Sequence, residues 1–130
     1  MSTYDTDDRY PFANAFWKLS SGPHFCKGQI EATLTGIALS RVKVIEEIDG
    51  VSTWVDNEKR EGLKWKYLED FFIDETSNHL VIHSRFLGIS IYVPGNDESD
   101  REAWVFMLLE QGLQNKGFKQ SNNLQFLTIE

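Results

Sequence analysis

The sequence predicts an α+β fold, a small bent antiparallel β-sheet or barrel closed by one C-terminal amphipathic helix. Apolar and polar side chains alternate from Gln29 onwards, which is the period of half-buried strands. Asp49-Gly50 stands between apolar runs, and this pair favours a β-hairpin because both positions tolerate positive φ. Apolar side chains then recur at helical spacing between 97 and 117.

The predicted strands are short alternating runs bounded by turn-forming residues. In the first of them, apolar Ile30, Ala32 and Leu34 alternate with polar neighbours. A polar loop is expected at 56–62, because that stretch has no apolar face. The predicted strands are 29–35, 37–48, 51–55, 63–68, 79–83 and 89–93.

The helix is predicted to begin at Asn96 or Asp97 and to end at Lys116-Gly117. Acidic residues in the first turn suit the positive end of the helix dipole, and a glycine after the last turn permits the left-handed conformation that ends many helices. The apolar stripe consists of Trp104, Val105, Leu108, Leu109, Gly112 and Leu113.

The chain length of 130 residues fits one domain flanked by two shorter segments. Residues 1–28 are expected to be an N-terminal segment, partly flexible, that is either free or docked on the core. Within it, 12–19 is apolar enough for a short helix or an edge segment of the sheet. Residues 29–117 form the predicted domain, and 118–130 are expected to be a tail or one more strand.

Composition argues against several classes of protein. The net charge is −7, so nucleic acid and anionic membrane surfaces are repelled on average, and neither is an expected partner. No apolar run approaches the ~20 residues of a membrane-spanning helix. A single cysteine, Cys26, forms no internal disulfide, which fits a reducing compartment. We therefore expect a cytoplasmic protein, bacterial or from a phage, without integral membrane association.

Residues 37–114 resemble the bacterial pleckstrin-homology-like domains. The resemblance rests on a strand with Leu63-Lys64-Trp65, a following strand pair at 79–83 and 89–94, and the closing helix. It implies a bent barrel plugged by that helix and a binding or regulatory module without catalysis. The basic loop of the lipid-binding relatives is represented here by Arg41 and Lys43 alone, so the resemblance does not extend to lipid headgroups.

We predict no catalytic, cofactor or metal site. His79 and His83 lie in a predicted strand, which places them about 13 Å apart, too far for one zinc ion. His24 and Cys26 have no third group to complete a nucleophilic site. The sequence contains no phosphate-binding loop, no dinucleotide fingerprint and no nucleophile elbow.

The predicted partner-binding residues are Trp54, Phe16 and Trp17. Alternation places Trp54 on the strand face opposite Val51 and Val55. Trp54 is then either an exposed interface anchor or covered by a docked N-terminal segment. Phe16 and Trp17 either supply that cover or form a partner-binding patch of their own.

These observations favour a non-enzymatic module that binds a protein or peptide. Binding would use the aromatic residues near Trp54 or strand addition at an exposed sheet edge. Two alternatives stay open at this stage. One is a small acidic inhibitor or immunity-type protein that blocks a basic partner. The other is a carrier of a small molecule or lipid.

Overall fold

The structure, a computed structural model, describes residues 10–19, 25–84, 86, 88–94 and 98–120. Within these residues the chain forms eight β-strands, one α-helix and a short 3-10 helix at Trp65–Tyr67. The helix, α1, is Glu98–Glu110. The strands are β1 (Phe12–Leu19), β2 (Phe25–Ala32), β3 (Gly36–Ile48), β4 (Val51–Lys64), β5 (Asp70–Asp74), β6 (Leu80–Ser84), β7 (Ile89–Val93) and β8 (Gln114–Lys119).

All eight strands belong to one sheet, in the order β4-β3-β2-β1-β7-β6-β5-β8. The first four strands are antiparallel neighbours, and so are β5, β6 and β7. Antiparallel pairing of β1 with β7 joins the two groups. After α1 the chain returns as β8, which pairs in parallel with β5. The N-terminal strand therefore lies at the centre of the sheet.

The prediction of a pleckstrin-homology-like α+β barrel is wrong. The chain is mostly β, and a mixed eight-stranded sheet with one short helix does not match that fold. Two segments account for the difference. Residues 12–19 form β1 between β2 and β7, and 114–119, expected as the last helical turn and the tail, form β8.

Helix α1 covers one face of the sheet and buries the main core. Trp104, Met107 and Leu108 of α1 are almost completely buried there, together with Trp17 of β1 and Phe71 of β5. Each buried aromatic side chain removes about 150–250 Å² from water, so these rings dominate the hydrophobic stabilisation. Leu68 and Leu113, between elements, also belong to this cluster, and its remaining members are alternate residues of the strands: Ala15, Ile30, Ala32, Ile37, Leu39, Leu80, Ile82, Ile89, Ile91 and Val93.

The β3–β4 hairpin turn is confirmed, whereas the polar loop after it is wrong. Asp49 and Gly50 have φ values of 55° and 80°, as a two-residue turn of this kind requires. Strand β4 continues through 56–62 and stays paired with β3 as far as Lys64. Because β4 is an edge strand with both faces largely exposed, its polar residues show no alternation, and pairing with β3 determines its conformation.

The helix ends seven residues before the predicted Gly117. Gly112, with a φ of 89°, supplies the left-handed residue after Glu110 and Gln111. The Leu113 N–H donates to the Leu108 carbonyl at 3.1 Å and the Gly112 N–H to the Leu109 carbonyl at 3.0 Å, a pattern that closes a helix C-terminus. Leu113 is then buried in the main core and directs the chain into β8. The predicted first residues, 96 and 97, lie outside the described part of the chain.

Candidate functional site

The sheet face opposite α1 carries a second apolar cluster, which we call the aromatic face. Phe16, Phe25 and Val81 are buried at its centre, and half-buried apolar residues surround them. Because side chains alternate along a strand, these residues point away from the main core. The half-buried members are Ile45, Trp54, Phe72 and Tyr92.

Cross-strand pairing arranges this face in two rows, each of which runs across the sheet. One row follows the registered neighbours Asp56, Lys43, Lys27, Phe16, Tyr92, Val81 and Phe72, from β4 to β5. The other connects Phe25, Lys18, Ser90, His83 and Asp70. Neighbours in such rows are close enough to interact, so the charges and rings form one continuous surface.

The predicted residues Trp54 and Phe16 come together on this face, and Trp17 does not join them. The rings of Trp54 and Phe16 lie 6.0 Å apart, although Trp54 is on β4 and Phe16 on β1. Phe16 is fully buried and Trp54 is half-buried. Trp17 points into the main core, where it is 2% exposed. Of the three, Trp54 is therefore the side chain that a partner can reach, and a binding role for the set stays a prediction.

Lysine side chains cover several rings of the aromatic face. The Lys27 Nζ lies 4.7 Å from the Trp54 ring centroid, and the Lys18 Nζ lies 5.2 Å from that of Phe25. At the far side, the Lys119 Nζ lies 5.7 Å from the Phe72 ring. These distances are within the range of cation–π attraction, which is worth about 0.5–1 kcal/mol at exposed sites. Lys18 and Lys27 are half-buried and Lys119 is exposed.

Lys18, Lys27 and Lys43 occupy three adjacent strands and form what we call the lysine cluster. Lys27 and Lys43 are directly opposite each other across β2 and β3. Within the described residues, the carboxylate paired with this cluster is Asp56, whose Oδ1 lies 3.5 Å from the Lys43 Nζ. Three positive charges thus meet one negative charge on a chain whose net charge is −7.

Strand β4 presents a free edge beside Trp54. It is the last strand in the sheet order, so its outer backbone groups pair with no other strand of the described residues. Residues 51–55 of this edge carry no charge, whereas 56–61 contain charges of both signs. A register shift between Arg41 and Lys43 interrupts the ladder at that boundary. Charges and bulges discourage strand addition, so 51–55 is the stretch most open to it.

A groove of about 600 Å³ lies at the opposite end of the β3–β4 hairpin. Its walls are Thr33, Thr35, Gly36, Ile37, Ala38, Gly62, Leu63 and Lys64, and most of the exposed wall is apolar. The Trp65 indole N–H donates to the Thr33 carbonyl at 2.9 Å and fixes the turn that borders the groove. The volume lies within the range of small-molecule sites.

His79 and His83 take part in local structure. The His79 Nδ1 is 3.2 Å from the Ser77 carbonyl, and burial lowers the pKa of this imidazole. The Ser77 hydroxyl instead donates to the buried Asp74 carboxylate. These contacts hold the turn between β5 and β6, and the hydroxyl is not directed at the His79 ring as in a Ser-His catalytic pair. The His83 Nδ1 lies 3.5 Å from the Asp70 Oδ1 on the aromatic face.

Burial raises the pKa of the Cys26 thiol, which disfavours the nucleophilic thiolate. His24, the other member of the predicted pair, lies outside the described part of the chain. Among the described His, Cys, Asp and Glu residues, no group of three is arranged to hold a metal ion. We find no helix within the described ranges that is long and apolar enough to cross a membrane.

Sequence reasoning missed the lysine cluster. Lys18, Lys27 and Lys43 are far apart in the sequence, and strand pairing alone brings them together. A weak signal existed, because each lysine lies two residues from an apolar side chain of the same face, at Phe16, Phe25 and Ile45.

Comparison of this chain with protein-family models, with curated proteins and with solved structures found no match.

Proposed function

We propose that the chain is a non-enzymatic protein-binding module, and that its binding site is the end of the β3–β4 hairpin that carries Trp54. The observation that carries this proposal is the placement of the Trp54 indole. It is half-buried, lies near the Phe16 ring and the Lys27 ammonium group, and belongs to the uncharged stretch 51–55 of the free edge. Tryptophan is among the residue types most enriched at interface hot spots, and this one is preorganised and still reachable.

The mode of binding combines a side-chain anchor with backbone pairing. A partner segment that lies along β4 can donate to and accept from its free backbone groups, while its side chains contact Trp54. Support against catalysis comes from Cys26, whose thiolate is disfavoured by burial, and from His79, whose ring contacts a backbone carbonyl in place of a hydroxyl nucleophile. The proposal therefore requires no cofactor or metal.

The test is affinity capture from native extract with the tagged chain and two matched variants. Trp54→Ala removes the proposed anchor, and Phe118→Ala removes an exposed aromatic ring at the opposite edge of the sheet. We expect a stoichiometric partner to bind the wild type and Phe118→Ala and to be lost from Trp54→Ala. Circular dichroism establishes whether both variants are folded. If Trp54→Ala does not fold, Trp54→Phe takes its place in the comparison, because it keeps the ring packing.

Two results would contradict the proposal. Retention of the partner by folded Trp54→Ala would place the interface elsewhere on the chain. Loss of the partner from Phe118→Ala, with retention by Trp54→Ala, would assign it to the β8 edge. Hydrogen exchange on the captured complex gives an independent readout, because strand addition should slow exchange of the amides in 51–55.

A second candidate function is the carriage of an apolar small molecule, favoured by the groove at the other end of the hairpin. Its volume of about 600 Å³ and its mainly apolar walls suit such a ligand. Native mass spectrometry of the purified protein would detect a co-purified ligand as added mass. Ala38→Trp, which fills the groove from β3, should abolish that mass, and an unliganded wild type would reject this candidate.

A further inference from the structure

We propose that the lysine cluster and Trp54 together bind an extended polypeptide segment that bears carboxylates next to apolar side chains. This inference rests on the proposed function and adds the chemistry of the partner. Lys27 and Lys43 face each other directly across two neighbouring strands. Like charges at such positions destabilise a sheet.

The positive charges of Lys27 and Lys43 are only partly neutralised by neighbouring carboxylates. Asp56 pairs with Lys43 at 3.5 Å, but this carboxylate is 87% exposed and its attraction is screened by water. Lys27 lies over the Trp54 ring, a contact that orients the ammonium group without neutralising it. Lys18 adds a third positive charge on the next strand, over Phe25. A chain with a net charge of −7 thus concentrates positive charge at one apolar surface.

The partner chemistry follows from the charges and from the apolar surroundings. Carboxylates neutralise the ammonium groups, and an apolar side chain covers the reachable part of Trp54 next to them. An acidic segment of a second protein supplies both the carboxylates and the apolar side chain. Phe16 and Phe25 are too deeply buried to stack on bases, so these two rings do not form the stacking platform on which single-stranded nucleic acid binds. The free edge beside Trp54 offers backbone pairing, which a polypeptide can use.

The test is a titration of the isotope-labelled full chain followed by NMR, which detects weak complexes. The probe is a soluble peptide repeating Glu-Glu-Val-Val, so that each face of its extended form carries both side-chain types. The control peptide repeats Lys-Lys-Val-Val. We expect saturable shifts of the Trp54 indole N–H and of the Lys27 and Lys43 amides with the acidic peptide, weakened when ionic strength rises.

Matched variants isolate the contribution of the cluster. Lys27→Glu should weaken acidic-peptide binding by about two- to thirtyfold, since it removes one attraction and adds one repulsion. Lys116→Glu makes the same charge change on β8, at the opposite edge, and should leave binding nearly unchanged. Lys27→Arg should retain binding. We expect Lys27→Glu to stay folded, because its opposite-charge pair with Lys43 offsets the lost contact with Trp54.

The outcomes separate this inference from the proposed function. No saturable shift with the acidic peptide, or equal shifts with the lysine peptide, would overturn the acidic-segment inference. Preference for oligothymidine or for anionic vesicles at equal charge would assign the cluster to a different class of ligand and would also overturn it. A partner captured through Trp54, together with a failed acidic-peptide titration, would leave the protein-binding module standing without this partner chemistry.

Discussion

Substitution of Gly36 by alanine provides the sharpest test of the sheet geometry. Gly36 begins β3 opposite Lys64, the last residue of β4. A Cβ atom at this position would lie 1.9 Å from the Leu63 carbonyl oxygen, 2.7 Å from the Leu63 carbonyl carbon and 2.8 Å from the Lys64 Cα. Ordinary contacts begin near 3.4 Å, so the overlap with the oxygen is about 1.5 Å.

No side-chain rotation can relieve this overlap, because every obstructing atom belongs to the backbone of β4. The last residues of β4 must therefore move away from β3. That movement loosens the pairing of Ile37 with Leu63 and the hydrogen bond from the Trp65 backbone N–H to the Thr35 carbonyl. Overpacking of this kind costs about 1–3 kcal/mol, and we expect the free energy of unfolding of Gly36→Ala to fall by that amount.

The matched control is Gly62→Ala, two residues earlier on β4. A Cβ atom there meets nothing within 4 Å, and the backbone needs no positive φ. We expect this variant to be unchanged or up to about 1 kcal/mol more stable, since alanine restricts the unfolded chain. Urea denaturation followed by tryptophan fluorescence measures both. Equal stability of the two variants would refute the close approach of β3 and β4 at Gly36.

Three further predictions concern the main core and the β5–β6 turn. Trp17→Ala should lower the free energy of unfolding by about 3–5 kcal/mol in urea denaturation, because the side chain is 2% exposed; a loss below 1 kcal/mol would contradict its place in the core. Trp104→Phe should cost about 1–3 kcal/mol from the cavity that the smaller ring leaves, with no lost hydrogen bond, since the buried Trp104 Nε1 has no partner among the described residues; a loss as large as the ~3–5 kcal/mol typical of truncation to alanine would contradict it. Burial lowers the pKa of His79 in the folded chain, so the unfolded chain takes up the proton first and stability should fall as pH drops below about 6.5. His79→Gln should reduce this pH dependence, and identical pH profiles for wild type and variant would contradict it.

Local signals in the sequence predicted several elements correctly. Asp49-Gly50 determines the hairpin turn, because few other residue pairs accept positive φ at both positions. The predicted strand pair at 79–83 and 89–93 corresponds to β6 and β7; β7 alternates buried and half-buried residues, whereas β6 buries apolar side chains on both faces. The existence of the C-terminal helix followed from apolar spacing.

Strand β1 and the path of β4 depended on tertiary context. Residues 12–19 bury side chains on both faces, with Trp17 in the main core and Phe16 under Trp54, so alternation between polar and apolar residues is lost. Strand β4 has the opposite property, because both of its faces are largely exposed and its charged residues resembled a loop. Neither segment has the half-buried pattern on which sequence reasoning depends.

Taken alone, the sequence determined the local conformations that a few residues impose: the hairpin turn, the alternating strands and one helix. It also determined that Trp54 points to the strand face opposite Val51 and Val55, because neighbouring side chains of a strand point in opposite directions. Tertiary structure decided the strand order, the parallel β5–β8 pair and the lysine cluster. These depend on contacts between residues distant in the sequence, and such contacts are selected by burial of the whole chain.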